Sequence, residues 1–446
     1  MANQTHNFPN PPSPQPTGRY LVLFQPDADL SSIRSVVENS TGAKTIDSRD
    51  IGMTSAATED ALSHDNAIII NRFKVAAIAP QGDVGVRMGT LKAAEGVRLL
   101  RPEFYMFAID ELQRRYASWV REGLQLLADG VTSGFGAAGI GVSEAGFLGA
   151  PFADTDEFTW GLAAVGAHRS AFTGRGIRVA VLDTGLDLFH PDFADQQIRQ
   201  IVTQSFVEDE SVQDGQGHGT HTAGTVGAQN PSNIGRRYSV APEVDLYIGK
   251  VLNNQGSGKE LDILNGMNWA IDQKCVAISM SLGRSTFPGE KPDPLYEEVG
   301  AAALREDSLI IAAAGNESAR DSGFIAPVGA PANSPSIMAV AAVKPNLKVA
   351  SFSCGGLTAG GGEVNISGPG VAVYSSFPLP QQSKVLQGTS MACPHVAGVA
   401  ALWAQSDKSL RGQKLWDALE RSALELGPFR DYGRGLVQVP DAGVGV

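Results

Sequence analysis

A carboxylate, an imidazole and a hydroxyl stand in three separate glycine-flanked segments of this 446-residue chain. Asp183 follows the apolar run Val179-Ala180-Val181-Leu182 and precedes Thr184-Gly185. His218 lies in Gly217-His218-Gly219-Thr220-His221-Thr222-Ala223-Gly224, and Ser390 in Gly388-Thr389-Ser390-Met391-Ala392-Cys393-Pro394-His395, at the head of an apolar stretch with helical spacing. Together these groups are the parts of an activated nucleophile. The hydroxyl is weak alone, the imidazole takes its proton, and the carboxylate holds the imidazole in one tautomer and stabilises the imidazolium. Asn316, after Ile311-Ala312-Ala313-Ala314-Gly315, is placed to donate to a developing oxyanion. Pro394 fits a helix start, because the first turn has no intrahelical N–H bonds to lose.

Such residues must be carried by elements that bring them together. From Trp160 onward, buried strands (Ile177–Leu182, Asp245–Leu252, Val276–Leu282, Leu309–Ala314, Ile337–Val343) alternate with helices near 219–228, 261–273, 294–306, 391–405 and 412–423. This pattern predicts an α/β unit over 157–446, a mostly parallel sheet with helices on both faces. Asp183 and Asn316 then fall at the carboxyl ends of strands, where such sheets gather ligand-binding residues. Upstream, residues 1–17 are Pro/Asn/Ser-rich and predict a disordered leader. A small α+β unit follows over 18–109, with strands at Tyr20–Phe24, Ile68–Ile70, Phe73–Ile78 and Val97–Leu100 before Pro102, and helical spacing at Leu30, Ile33, Val36 and Val37 and again around Met88 to Ala94. Leu112, Tyr116, Trp119, Val120, Leu124 and Leu127 share one helical face, so 110–156 reads as a helix and then a Gly/Ala-rich linker.

Composition narrows the function further. Apolar residues make up 43%, ample for a sizeable core. With 35 basic against 47 acidic residues the net charge is −12, and no Lys/Arg run forms a phosphate-tracking stripe, so nucleic acid is not an expected partner. No apolar run approaches the ~18–20 residues that cross a bilayer, and no Sec-type signal is visible at the N-terminus. A monomer, cytoplasmic as synthesised, is expected, and export by a non-Sec route stays open. Three cysteines (Cys275, Cys354, Cys393) do not suggest a disulfide framework.

The order Asp183, His218, Ser390, within DTGLD, HGTHTAGT and GTSMACPHVAG, resembles the subtilisin-like serine proteases, or subtilases, over about residues 157–443. The resemblance implies a serine endopeptidase that acts on polypeptides through an acyl-enzyme, with Asp183 as orienter, His218 as base and acid, Ser390 as nucleophile, and Asn316 with the Ser390 N–H as oxyanion hole. Ser281-Leu282-Gly283 and Gly256-Ser257-Gly258 resemble the segments that pair with the substrate backbone. Ala314, Gly315 and Gly329 would shape a deep apolar pocket for a large side chain before the scissile bond, with Glu317 in solvent at its rim. Glu260 would favour a basic residue further upstream. Arg284, where many members have Gly, would crowd or charge one wall. The N-terminal unit resembles the family's ferredoxin-like propeptide, which implies a zymogen with its own propeptide as intramolecular inhibitor, cut between Phe104 and Thr159. The loop Gln229–Gly235 resembles a calcium loop, with Asp192 and Asn233 as ligands, although Arg236-Arg237 follow directly; no organic cofactor is implied.

Two other functions compete with the active protease: a latent complex that keeps its propeptide after cleavage, and a pseudoenzyme that binds peptides without cutting. The remaining motifs are structural. His221 lacks the HExxH context of a zinc pair, and His190 and His395 read as hydrogen-bonding residues. Gly134–Gly139 fits GxGxxG but follows a helix rather than a strand, so it reads as linker. Cys393 is expected as a small buried thiol, and Asn316-Glu317-Ser318 is a common, weak glycosylation pattern.

Overall fold

A computed structural model describes residues 13–440, apart from 51–57, 59, 63–65, 80–83, 129–150, 195–198, 230–234 and 358–360. The GxGxxG linker and Asn233 lie outside the described residues. The N-terminal unit runs β1 (Pro16–Phe24), α1 (Leu30–Thr41), β2 (Lys44–Asp47), β3 (Asn66–Ile70), β4 (Val75–Ile78), α2 (Val84–Ala93) and β5 (Val97–Ala108). Asp29 caps α1 by accepting from the Ser32 N–H, and Gly42 ends it at φ 74°, where a left-handed residue is needed. The strands lie in the order β5-β1-β4-β3-β2, and only β2 and β3 run parallel.

Strand alternation divides this sheet's side chains between two cores. Val22, Phe24, Ile69 and Ala76 pack with Ile33 and Val37 of α1 and Met88 and Leu91 of α2. Leu21, Leu23, Ile70 and Val75 face the opposite way, into the core of the larger unit. Two boundaries differ from expectation. β1 begins at Pro16, inside the expected leader, where the Thr17 hydroxyl donates to Glu103. β5 does not stop at Pro102 but runs on to Ala108, because Pro102 falls beside a register irregularity in the β1 pairing, where a missing N–H is tolerated. α3 (Ile109–Ala128) follows without a break.

The larger unit comprises β6 (Arg178–Asp183), β7 (Ile201–Ser205), α4 (His218–Gly227), β8 (Asp245–Lys250), β9 (Ser257–Lys259), α5 (Glu260–Asp272), β10 (Ala277–Met280), β11 (Leu282–Gly283), α6 (Pro294–Arg305), β12 (Leu309–Ala313), β13 (Met338–Val343), β14 (Ile366–Pro369), α7 (Thr389–Ser406) and α8 (Gly412–Ser422). Seven strands form a parallel sheet in the order β14-β13-β12-β10-β6-β8-β7. One face packs on α4, α7 and α8, and the other on α5 and α6, as the buried apolar runs require. The run Val276–Leu282 is not one strand: the chain leaves the parallel sheet after Met280, and Leu282–Gly283 pairs with β5 instead. Cys275, Cys354 and Cys393 are buried free thiols. Among the described residues no helix is long and apolar enough to cross a membrane.

Candidate active site

Asp183 ends β6 at the carboxyl edge of the sheet, and His218 opens α4 across from it. His218 Nδ1 lies 2.8 Å from Asp183 Oδ1 and 3.0 Å from Oδ2. A carboxylate there keeps the neutral ring's proton on Nδ1 and leaves Nε2 as the basic nitrogen. The Thr184 N–H at 2.7 Å and the Thr222 hydroxyl at 3.2 Å donate to Asp183 in turn. α4 can approach this closely because Gly follows the His: a Cβ at Gly219 would meet the Gly185 carbonyl oxygen at 2.3 Å. Buried Asp214, not singled out from the sequence, accepts from the Thr184 hydroxyl at 2.9 Å, the Gly217 N–H at 2.8 Å and the Thr220 N–H at 2.8 Å. It thereby ties the loop after β6 to the start of α4. Its signal was legible as an Asx-turn pattern, Asp214-Gly215-Gln216-Gly217, directly before His218.

Ser390 is fully buried in the first turn of α7. Its hydroxyl donates to the Ser281 carbonyl at 3.4 Å, and His218 Nε2 has no hydrogen-bond partner. Because α7 begins at Thr389, Pro394 lies in the second turn rather than the first. It therefore removes the N–H that would bond the Ser390 carbonyl. The Ser281 hydroxyl supplies the missing donor at 2.8 Å. Asn316 Oδ1 accepts from the Thr389 N–H and hydroxyl, both at 2.9 Å, which fixes the orientation of the amide. A Cβ at Gly388 would stand 2.9 Å from Asn316 Nδ2.

The cleft beside these groups is filled by the chain itself. β5 lies antiparallel between β9 and β11, with Phe107 opposite both Ser257 and Gly283 and Met106 opposite Gly258. The Ala108 N–H donates to the Gly256 carbonyl at 2.9 Å and the Ile109 N–H to the Ser281 carbonyl at 3.2 Å. The chain then turns away as α3. Asp110 Oδ1 stops 3.7 Å from His218 Nε2, and neither buried atom has a hydrogen bond. Gln113 Oε1, one turn on, accepts from Asn316 Nδ2 at 3.4 Å. Neither Asp110 nor Gln113 was singled out from the sequence. Ile109 is buried, and its Cδ1 would be 3.3 Å from a Cβ at Gly283. Ala314 and Gly329 close the same wall: the Gly329 N–H donates to the Ala314 carbonyl at 2.9 Å, and a Cβ at Gly329 would meet the Arg284 carbonyl at 2.7 Å.

The model of the Subtilase family matches residues 174–435, which span the sheet and every one of the segments just described apart from β5 and α3. The chain belongs to the subtilase family. It is 40% identical over 277 residues to subtilisin E of Bacillus subtilis (strain 168), a match covering 62% of this chain and 68% of that protein. Subtilisin Savinase of Lederbergia lenta is 39% identical over 287 residues, which cover 64% of this chain and 97% of that one. Among solved structures, sphericase superposes with a TM-score of 0.55 at 32% identity, over 63% of this chain and 97% of its own. The parallel sheet between two helical layers is thus the subtilisin-like fold, and the subtilase is a serine endopeptidase, a hydrolase.

Some expected positions in this subtilase are corrected. Glu317 is not at a solvent rim: it is 5% exposed, and the Cys354 thiol donates to Oε2 at 3.0 Å and the Ser285 hydroxyl to Oε1 at 3.3 Å. Gly315, with φ 112°, leaves room for that carboxylate: a Cβ there would meet Glu317 Oε2 at 2.5 Å. Burial raises the Glu317 pKa above the usual carboxylate range. Arg284 does not charge the cleft freely, since it pairs with Glu290 at 2.8 Å. Glu260 is fully buried and already holds a basic residue, Arg101 of β5, at 2.7 Å. His221, His190 and His395 bond backbone carbonyls as expected, and burial first of all lowers the pKa of His221 to about 3 and of His395 to about 4. Cys393 is buried, and burial pushes its thiol up to about 11.

Proposed function

We propose that this subtilase is made as a zymogen whose N-terminal unit is severed after Ile109 by the chain's own triad. The observation that carries the reading is the continuous antiparallel pairing of β5 between β9 and β11, which ends with the Ile109 N–H on the Ser281 carbonyl beside Ser390. Ser390 Oγ attacks the Ile109 carbonyl carbon and passes its proton to His218 Nε2, while Asp183 steadies the imidazolium. Asn316 Nδ2 and the Ser390 N–H receive the oxyanion. Collapse breaks the bond to the Asp110 nitrogen, which takes the proton from His218. Water activated by the same imidazole then frees the acyl-enzyme. The order strand, helix, strand, strand, helix, strand within residues 16–108 supports a ferredoxin-like propeptide, extended at one edge by β2.

The same cleft supports cleavage of other polypeptides after large apolar residues, since Gly283, Ala314, Gly315 and Gly329 wall it with backbone and methyl groups. A latent complex after the cut is favoured by one observation: Leu21, Leu23, Ile70, Phe73 and Val75 share a continuous core with Leu261, Leu264 and Val299 of the larger unit. Severing one peptide bond leaves that core intact. A serine-directed phosphonate separates the readings, with prompt labelling for a free enzyme and labelling only after proteolysis for a latent one.

Calcium remains part of the proposal, and the described residues fit it only in part. Among the described residues, Gln229 Oε1 and Nε2 are both buried without a hydrogen-bond partner at the start of the loop, and a calcium ion would satisfy the oxygen. Asp192, however, already accepts from the Tyr238 hydroxyl, and the Arg199 guanidinium donates to the Asp192 and Gly227 carbonyls.

Intact mass of the full chain tests the maturation. The wild type should yield two pieces, the second beginning at Asp110, and Ser390→Ala a single 46.8 kDa chain without peptide hydrolysis. A wild type that is active and uncut sinks the zymogen reading. Hydrolysis by Ser390→Ala above about a thousandth of wild type, well over what a triad knockout retains, sinks the nucleophile.

A further inference from the structure

The network around Glu260 joins groups from two parts of the molecule with different fates. Arg101 belongs to β5, in the segment removed by the proposed cut. Glu260, the first residue of α5, and Asp293, the N-cap of α6, belong to the matched subtilase unit. Arg101 Nη1 lies 2.7 Å from Glu260 Oε2, and Nη2 lies 3.0 Å from Glu260 Oε1 and 2.7 Å from Asp293 Oδ2. The Arg101 side chain is 13% exposed, and those of Glu260 and Asp293 are 0% and 8% exposed. Each carboxylate is also locked from its own side. The hydroxyl of fully buried Tyr296 donates to Glu260 Oε1 at 2.7 Å, and the Leu295 N–H donates to Asp293 at 2.9 Å.

We infer that the processed enzyme carries an arginine-binding subsite made of Glu260 and Asp293, which engages the residue eight positions before the one whose carbonyl is attacked. The inference rests on the cleavage register proposed above. The position follows from β5, which runs extended from Val97 to Ala108, delivers Arg101 to the carboxylates and leads directly into Ile109, whose N–H reaches the Ser281 carbonyl. Any polypeptide that follows the same path presents its own residue at that distance. Once β5 leaves, two carboxylates held by rigid helix starts face one another without their cation, an arrangement that like-charge repulsion makes unfavourable. A planar guanidinium restores the two-pronged contact to Glu260 and the third bond to Asp293, while a lysine ammonium cannot span both. The chemical class taken is therefore an extended polypeptide with arginine at that position, the enzyme's own released segment first among them.

Product inhibition tests this in the processed enzyme, with each preparation normalised by phosphonate titration. A synthetic peptide of residues Val97–Ile109 with a free carboxylate should inhibit hydrolysis of a chromogenic peptide. Its Arg101→Ala version should bind at least about tenfold more weakly, and Arg101→Lys should fall between, as loss of a partner to a desolvated charge pair requires. In Asp293→Asn, which keeps a good helix cap, the gap between the Arg and Ala peptides should shrink severalfold. Equal inhibition by the Arg and Ala peptides overturns the subsite while leaving the cleavage register standing. No inhibition by any of the three overturns the register itself, and the subsite with it.

Discussion

Replacing Asp110 by Asn removes one negative charge that faces the His218 ring and leaves its shape nearly unchanged. In the uncut chain, burial pulls the His218 pKa down, but the carboxylates of Asp183, Asp110 and Asp214 outweigh it and hold the value at about 9. At the 3.7 Å between Asp110 Oδ1 and Nε2, two unit charges attract by roughly 4 kcal/mol at an effective dielectric of ~20 and roughly 1 kcal/mol in water. The Asp110 side chain is 31% exposed, so the lower part of that range applies, enough to drop the ring's pKa by about one. An imidazolium cannot take the Ser390 proton. Self-cleavage should therefore quicken about tenfold per pH unit up to about 9. In Asp110→Asn it should run about tenfold faster at pH 7 and level off about one pH unit earlier. Stability carries the opposite sign. A folded pKa of about 9 against an ordinary 6.5 means a contribution complete below about 6.5 and lost as pH rises through about 9. In the Ser390→Ala background, which traps the uncut chain, Asp110→Asn should lower the melting temperature more at pH 6 than at pH 10. The assay follows intact mass against time between pH 6 and 10, with melting curves alongside. A cleavage rate flat across that range, or an unmoved midpoint in the variant, refutes the assignment.

Three further outcomes follow from the same geometry. Asn316→Ala should lose about 10²–10³ in kcat with KM little changed, the loss that removing one oxyanion donor from a subtilisin-type site carries; an unchanged kcat removes Asn316 from the oxyanion hole. Because Glu317 is buried against Cys354, Glu317→Gln should leave the ratio of cleavage after Leu or Phe to cleavage after Lys or Arg unchanged in a peptide library, and a shift of more than about threefold would place the carboxylate in contact with substrate. Millimolar calcium should raise the melting temperature and a chelator lower it, since an ion bound only by the folded chain stabilises by about 2.7 kcal/mol at a hundred times its Kd; curves that coincide exclude the loop from Gln229 as a site.

Local chemistry made much of the active site legible. Asp183 and Asn316 follow apolar runs that could only be buried parallel strands, so their place at the carboxyl edge followed from the sheet alone. Edge strands β7 and β14 were harder to see, being short and carrying Thr203, Gln204 and Ser367 among their apolar residues. Pro394 shows the limit of a local rule. Its tolerance depends on a hydroxyl 113 residues away, that of Ser281, which no reading of the helix by itself could supply.

The errors share one cause. Glu317 was expected in solvent because charge usually lies there, and Glu260 was expected to meet a basic residue of the substrate; each instead meets a partner of its own chain distant in sequence, Cys354 for Glu317 and Arg101 for Glu260. At Glu260 the carboxylate pairs with a basic residue of the chain itself, Arg101, inside the protein rather than at a surface. Asp110 is the converse case. An acidic residue at a helix start is ordinarily a favourable charge on the helix dipole, worth a few tenths of a kcal/mol, and by itself signals nothing more. It gains a second role only because β5 threads the cleft and sets the first turn of α3 against His218, a position decided by the pairing of Phe107 with Ser257 and Gly283. Function at this site thus depends on strand register between two units, the property least visible in either unit's residues taken alone.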